Sequence, residues 1–226
     1  MFGSFGSAFG AGFGSFGSGV SVSLKDQATF DGVADEISAG TQTTPASDAI
    51  TVIFKPADDS DRGCLYSMGS LGGSYGFSVT WDGGSDRIFT RMKGSATNSI
   101  TTSNNSAPAD GTVYKVVFSY DSSAGTQGVV LYNNTTGATI ATVNETSLPA
   151  SNFSNGQSRQ LKIGEDQSGL DDYLGDIRFV ESSLVKYEFK ADVGTTTVVD
   201  TSGNGNNGTV SVGSGGLATF WSKYVG

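Results

Sequence analysis

The chain has 226 residues, of which 36% are hydrophobic and only 15% are charged, and its formal net charge is −9. It has no histidine and a single cysteine, Cys64, which excludes serine–histidine and cysteine–histidine hydrolases, histidine-ligated metal centres and an intrachain disulfide. The acidic balance argues against binding to nucleic acid or to anionic membranes, because both partners require a basic surface.

The first segment, residues 1–19, has low complexity. Phenylalanine recurs there every three or four residues among glycine and serine, at Phe2, Phe5, Phe9, Phe13 and Phe16. Each glycine costs a helix about 1 kcal/mol relative to alanine, so the isolated segment is predicted to be disordered. We expect residues 1–19 to be an attachment arm that anchors its aromatic side chains in a neighbouring subunit. The alternative is a flexible tail.

The same segment does not look like a secretory signal, because it lacks a positively charged start and a continuous apolar block. The chain also contains no run of about 20 apolar residues, so no membrane insertion is expected.

Residues 20–226 are predicted to form one domain of β-strands joined by turns rich in glycine, asparagine and aspartate. Apolar and polar residues alternate in several runs, which is typical of strands buried on one face. In chain order the predicted strands are Ile50–Phe54, Phe77–Trp81, Arg87–Met92, Tyr114–Tyr120, Gly128–Tyr132, Thr139–Val143, Leu161–Ile163, Ile177–Phe179, Tyr187–Phe189, Val198–Val199 and Thr209–Val212. Turns are predicted at Asp82–Gly84 and Asn133–Gly137. Many short strands without a helical pattern favour an antiparallel β-sandwich or jelly roll.

Five stretches carry a resemblance to a known family. They are Ala28–Gly40 (ATFDGVADEISAG), Asp48–Pro56 (DAITVIFKP), Gly111–Thr142, Leu161–Leu184 and Val199–Val210 (VDTSGNGNNGTV). Together they resemble the concanavalin A-like lectin/glucanase superfamily in its laminin-G-like branch, which implies an all-β jelly roll. In many members the last stretch precedes the first, so the order of elements is expected to be permuted here.

Glycosidases of this superfamily carry their catalytic carboxylates as E-x-D-x-x-E on one strand. The five glutamates of this chain are Glu36, Glu145, Glu165, Glu181 and Glu188, and none stands in that pattern. The string Gly72–Gly76 matches a nucleophile elbow, G-x-S-x-G, but a hydrolase of that type needs a histidine base. We therefore expect a protein without enzymatic activity.

Calcium is a candidate cofactor, because the resembling laminin-G-like modules often bind it through loop oxygens. Three stretches are rich in oxygen ligands: Asp58–Asp61, Glu165–Asp172 and Asp200–Asn206. None has the spacing of a recognised calcium loop. Solvated turns in an acidic protein are the alternative, and no ligand set is assigned.

A sugar site would need an exposed aromatic ring beside aspartate or asparagine. Trp81 alternates with Val79 and Phe77 and is expected in the core. The candidates for ligand contact are Tyr75 and, beside a predicted turn, Tyr132 with Asn133 and Asn134. The alternative is that these tyrosines only pack.

The resemblance also implies a function, since lectin-like sandwiches on short N-terminal arms occur in bacteriophage virion proteins. We expect a structural or adhesive virion subunit, such as a capsid decoration or fibre, that is oligomeric and held to other virion or assembly proteins by its arm. Its location would be the virion surface or the extracellular space. The alternative is an adhesin module that binds cell-surface glycans.

Overall fold

The computed structural model describes residues 24–57, 62–69, 76–95, 98–102, 111–166, 172–189 and 194–225. The described residues are mostly extended, and the strands are β1 (Leu24–Asp31), β2 (Glu36–Thr43), β3 (Ser47–Pro56), β4 (Arg62–Met68), β5 (Gly76–Asp82), β6 (Arg87–Lys93), β7 (Asn98–Thr102), β8 (Tyr114–Asp121), β9 (Thr126–Asn133), β10 (Thr139–Glu145), β11 (Ser158–Ile163), β12 (Leu174–Glu181), β13 (Lys186–Tyr187), β14 (Thr197–Val198), β15 (Gly208–Ser211) and β16 (Trp221–Val225). Within these ranges, helical structure is confined to α1 (Leu217–Phe220) and two 3-10 turns, Gly83–Ser85 and Ala150–Asn152. None of these described helices is long and apolar enough to cross a membrane.

The strands form two antiparallel sheets. The first sheet has the order β10-β9-β8-β3-β12-β1-β16, with β13 paired to β12, and the second has the order β14-β15-β2-β11-β4-β5-β6-β7. The all-β antiparallel sandwich predicted from the sequence is confirmed. The predicted turns at Asp82–Gly84 and Asn133–Gly137 connect β5 to β6 and β9 to β10.

Aromatic side chains join the two sheets. Phe54 on β3 lies 5.7 Å from Trp81 on β5, measured between ring centroids, and Phe77 on β5 lies 6.2 Å from Phe118 on β8. Trp81 is only 2% exposed, so its predicted place in the core is confirmed. Burying each such ring stabilises the fold by about 2–3 kcal/mol.

Alternation decides which residues face outward. On β8 the side chains of Tyr114, Val116, Phe118 and Tyr120 are buried, as the sequence predicts. Lys115, Val117 and Ser119 alternate with them on what we call the outer face of the first sheet, the face turned away from the second sheet.

Three strand predictions are wrong in detail. A register irregularity between Ile177 and Phe179 on β12 leaves Phe179 half-buried and gives its core position to Val180, since an extra residue reverses the face of every later side chain. β13 ends at Tyr187, before Phe189, whose φ of +49° is not extended. β14 ends at Val198, and Val199 is 61% exposed.

The two ends of the described chain are neighbours. Leu24 at the start of β1 pairs with Val225 at the end of β16. Because the two ends are adjacent, the order of the elements along the chain can be permuted without disturbing the sheets.

Candidate functional site

Some of the residues singled out in the sequence lie outside the described residues. These are Phe2, Phe5, Phe9, Phe13 and Phe16 of the arm, Tyr75 among the ligand candidates, and Asp58, Asp59, Asp61 and Asp171 among the acidic stretches.

The other ligand candidates lie at the β9–β10 turn. Tyr132 is half-buried on the outer face of the first sheet, and the Lys115 ammonium lies 4.3 Å from its ring centroid. The Asn133 side-chain oxygen accepts hydrogen bonds from the backbone N–H groups of Thr135 and Thr136, both at 3.0 Å. Asn134 is exposed, and its backbone N–H donates to the Val113 carbonyl at 2.8 Å. Tyr132 and Asn133 therefore already have partners within the fold.

A groove of about 510 Å³ opens at the opposite end of the same strands. Its lining consists of Ser119, Tyr120, Asp121, Thr126, Gln127, Gly128, Asn144, Glu145 and Thr146. Strand pairing brings these residues together, because Ser119 on β8 pairs with Gly128 on β9, which in turn pairs with Asn144 on β10. We call this site the corner groove. Its volume is in the range of small-molecule sites.

Glycine shapes the floor of the corner groove. A Cβ atom at Gly128 would lie 2.3 Å from the Asn144 side-chain oxygen and 3.2 Å from the Val143 carbonyl. The missing side chain lets the Asn144 amide lie across β9 instead of standing away from it.

The walls are held by local hydrogen bonds. One oxygen of Asp121 accepts from the backbone N–H groups of Ser123 and Ala124, at 2.8 and 2.9 Å. Leu148 donates its N–H to the carbonyl of Gly125 at 2.9 Å, and Gly125 has a φ of +63° that favours glycine. Ser147, next to the lining residue Thr146, has a φ of +62°, which is strained for a residue with a side chain.

The lining supplies hydrogen-bonding groups of several kinds. Ser119, Asn144 and Thr146 are exposed, and the Gln127 amide donates a hydrogen bond to the Glu145 carboxylate. The Tyr120 hydroxyl donates to the Pro45 carbonyl at 3.2 Å, while burial and the charge of Asp48 raise its pKa, which keeps the hydroxyl protonated. Tyr120, Gln127 and Glu145 pair with one another on the core face of the sheet. The groups left for a hydroxyl-rich ligand are the hydroxyls of Ser119 and Thr146, the Asn144 amide and the Asp121 carboxylate.

Sequence reasoning missed the corner groove, although it singled out the correct hairpin. The available signal was the polar pair Thr126–Gln127 on one strand and Asn144–Glu145 on the next. Pairing β9 with β10 by counting residues outward from the turn puts these two polar pairs out of register, because a register irregularity lies between Thr139 and Ala141.

A second polar cluster joins β2, β11 and the segment that follows β11. The Lys162 ammonium pairs with the carboxylates of Glu36 and, at 3.2 Å, Glu165. Burial and the neighbouring Glu36 raise the pKa of Glu165 to about 7. Burial alone would raise the pKa of Glu36, but hydrogen bonds from Glu165 and Lys162 outweigh it and lower that pKa.

Asp200 organises the loop after β14. Its carboxylate accepts hydrogen bonds from the backbone N–H groups of Lys186 and Ser202 at 2.9 Å, from the Ser202 hydroxyl at 2.9 Å and from the Asn206 N–H at 3.0 Å. The Asn204 and Asn206 side-chain amides donate to the Leu184 carbonyl at 3.0 and 2.9 Å, so the aspartate and asparagines of this stretch hold a structural loop. In the described ranges no three carboxylate or thiol side chains form a metal-binding group.

Comparison of the sequence with protein-family models and with curated proteins found no match. The fold does match solved structures. The LG1–3 region of the laminin alpha2 chain aligns with a TM-score of 0.56 at 13% identity, over 83% of this chain and 34% of that chain. The enzymatically active domain of tailspike protein 2 from bacteriophage CBA120 aligns with a TM-score of 0.52 at 15% identity, over 65% and 23%.

A smaller protein matches over nearly its full length. The CBM40 module of the Ruminococcus gnavus IT-sialidase aligns with a TM-score of 0.51 at 12% identity, over 72% of this chain and 91% of that chain. This chain thus spans about a third of the laminin structure and less of the tailspike, but most of the CBM40 module. Two antiparallel sheets and these matches identify its fold as the concanavalin A-like jelly roll of laminin-G-like domains.

Proposed function

We propose that the chain is a glycan-binding module and that the corner groove holds the sugar. The observation that carries this proposal is the groove itself, in which three paired strands bring hydroxyl, amide and carboxylate groups around a glycine floor. The fold is compatible with this activity, since the CBM40 module of similar fold was solved bound to alpha2,3-sialyllactose.

The chemistry of the lining suits a saccharide. Sugar hydroxyls both donate and accept, so they need a surface that offers both kinds of group. The Asp121 carboxylate accepts, the Asn144 amide donates and accepts, and Ser119 and Thr146 do both. The turn contacts of Asp121 hold one wall in place before a ligand arrives, which lowers the entropic cost of binding.

The direct experiment is a glycan array probed with the full chain, followed by calorimetric titration of any glycan that binds. Asn144→Ala should weaken binding at least tenfold, because it removes a bidentate amide from the floor. Thr209→Ala, an exposed position on β15 in the second sheet, is the matched control and should leave binding unchanged. Absence of binding to any glycan contradicts the proposal.

Tyr132→Ala separates the two ends of the β9–β10 hairpin. If glycans bind at the corner groove, this variant keeps its affinity. If Tyr132→Ala abolishes binding and Asn144→Ala does not, the sugar lies at the turn of Tyr132, Asn133 and Asn134.

We also propose that the module binds without cleaving its ligand. Glu36 and Glu165 are two of the carboxylates with displaced pKa values, and they share the ammonium of Lys162, so neither stands free as an acid or base. Neither of them lines the corner groove. Chromatography of a bound oligosaccharide after prolonged incubation checks this, and release of shorter products that depends on Glu165 would contradict it.

A second proposed role is assembly, in which residues 1–19 anchor the module to a virion or other large particle. The supporting observation is the regular series of five phenylalanines before β1. Burial of each ring is worth about 2 kcal/mol, offset by about 1–2 kcal/mol for each ordered backbone residue. One arm is therefore weak, and repetition around a symmetric particle would supply the strength.

Light scattering of the full chain tests the arm. Replacement of its five phenylalanines by serine should leave the sandwich folded and abolish self-association or incorporation into particles. An unchanged mass and normal incorporation would refute the proposal. The candidate calcium stretch Asp58–Asp61 lies outside the described residues. Calcium binding is therefore tested in solution, by adding a chelator to the same samples.

A further inference from the structure

Apolar side chains form a patch on the outer face of the first sheet. Strand pairing places Val117 on β8 beside Val130 on β9, and Ile53 on β3 beside Phe179 on β12. These side chains keep part of their surface exposed, whereas the residues before and after Ile53, Val117 and Val130 are buried. We call this set, together with Tyr132 on β9, the outer patch.

Two lysines lie on the outer patch. Lys115 pairs with Ile53 on one side and with Tyr132 on the other, and its ammonium lies 4.3 Å from the Tyr132 ring centroid. The Lys186 ammonium lies 5.8 Å from the ring centroid of Phe179. Lysine stems are apolar, and their ammonium groups are attracted to the faces of aromatic rings. An uncharged segment rich in aromatic residues therefore matches this surface.

The N-terminal arm has that composition. Residues 1–19 contain five phenylalanines and no charged side chain. A phenylalanine ring gains free energy when it leaves water for an apolar surface, and its face can receive a lysine ammonium. The glycines between the rings carry no side chain, so the backbone of the arm can approach a flat sheet closely.

The arm is also tethered beside the outer patch. The structure describes the chain from Leu24, where β1 begins, and β1 lies next to β12 in the same sheet. From β1 to β9, at the far side of the patch, is four strand spacings or about 19 Å. The eight residues from Phe16 to Leu24 span up to about 26 Å. The arm therefore reaches across the width of the patch, at an effective concentration on the order of millimolar.

We propose that residues 1–19 of the free protein fold back over the outer patch of their own chain and pack their phenylalanine rings against it. The occupant of the patch is thus the segment that immediately precedes β1. This inference goes beyond glycan binding and assembly and depends on neither. A particle that takes up the arm has to displace it from the patch.

Chymotrypsin tests this docking on the full chain, because it cleaves after accessible phenylalanines. The rate at which N-terminal fragments are lost, followed by mass spectrometry, reports the fraction of arm that is undocked. The double variant Ile53→Thr with Val117→Thr removes apolar surface from the patch and leaves the arm unchanged. Threonine is also β-branched, so the strands are retained, which thermal unfolding verifies. We expect cleavage of the arm to become at least about fivefold faster than in the wild type.

The double variant Val33→Thr with Val199→Thr is the matched control. Both valines are exposed, at 69% and 61%, and lie outside the patch. Cleavage of the arm in this control should stay within about twofold of the wild-type rate. Equal cleavage rates in the patch variant and the wild type overturn the proposal.

Dilution separates docking on the same chain from docking on a second copy. Docking within one chain gives a cleavage rate that stays constant over about a hundredfold dilution, because the arm and the patch are tethered. A rate that rises on dilution would show that the arm lies on another molecule and would overturn the proposal.

Discussion

The Lys115 ammonium lies 4.3 Å from the centroid of the Tyr132 ring, and the two residues are direct partners on β8 and β9. A comparable pair lies on β12 and β13, where the Lys186 ammonium is 5.8 Å from the Phe179 ring centroid. Each of these two rings, Tyr132 and Phe179, therefore has a lysine over it. A sugar that stacks on Tyr132 from the same side would first have to displace Lys115.

This arrangement predicts the effect of changing Lys115. Lys115→Ala should lower the free energy of unfolding by about 0.5–1 kcal/mol, the usual value of a cation–π contact at a partly exposed site. Lys115→Arg keeps a cation over the ring and should stay close to wild type. Denaturant titration measures both, and an equal loss in the two variants would show that the charge over Tyr132 is not what matters.

The pH dependence of stability should report on Glu165. Its ordinary pKa is 4.5 and the folded protein raises it to about 7, so between these values the folded state binds more protons than the unfolded state. Stability therefore falls as pH rises through this window and the loss is complete above pH 7. The contribution is about 1–2 kcal/mol, reduced from the full linkage value by partial solvation.

Glu165→Gln isolates that effect. The variant should lose most of the difference in unfolding free energy between pH 5 and pH 8. The two other groups of this cluster change the stability outside this pH range. Glu36, whose pKa is lowered, affects stability below pH 4.5, and Lys162, whose pKa is raised, affects it above pH 10.5. A pH profile that Glu165→Gln leaves unchanged would mean that this carboxyl does not titrate in the window.

Gly164 should tolerate no side chain. Its φ is +87°, and a Cβ atom there would lie 2.1 Å from the buried ring of Phe30. Gly164→Ala is expected to destabilise the fold by about 3 kcal/mol or more, because it combines backbone strain with overpacking. Gly40, with a φ of +71° and open space around the Cβ position, is the matched control and should cost only about 1 kcal/mol. Equal losses would contradict the packing argument.

Removal of the Asp200 carboxylate should loosen the loop after β14. Asp200→Ala leaves three backbone donors without their partner, those of Lys186, Ser202 and Asn206, at a cost of about 2–4 kcal/mol. Burial opposes ionisation, but these hydrogen bonds prevail and lower the pKa of Asp200. Its contribution to stability should therefore persist above pH 3.8 and disappear in stronger acid.

Hydrogen exchange locates the damage from this substitution. Faster exchange should be confined to the Asp200–Asn206 loop and to Lys186, while amides of β8 and β9 stay protected. Uniformly faster exchange would instead indicate that Asp200 supports the whole sandwich.

Local patterns in the sequence were enough to predict the architecture. Alternation places Tyr114, Val116, Phe118 and Tyr120 on one face whatever their partners are, because successive side chains of a strand point to opposite sides. The turn at Asn133–Gly137 is likewise local, since Asn133 bonds to residues two and three positions ahead. The absence of histidine from the sequence excludes histidine-based hydrolase mechanisms and histidine-ligated metal centres without any structure.

Register and neighbours were decided only in the folded chain. The irregularity in β12 exchanges Phe179 for Val180 in the core, and an extra residue leaves no periodic mark in a short run. The corner groove needs Ser119, Gly128 and Asn144 to pair across three strands. The ligand-binding groups of the groove therefore depend on pairing between residues of different strands. The formation of each strand, in contrast, depends on the pattern of residues within that strand.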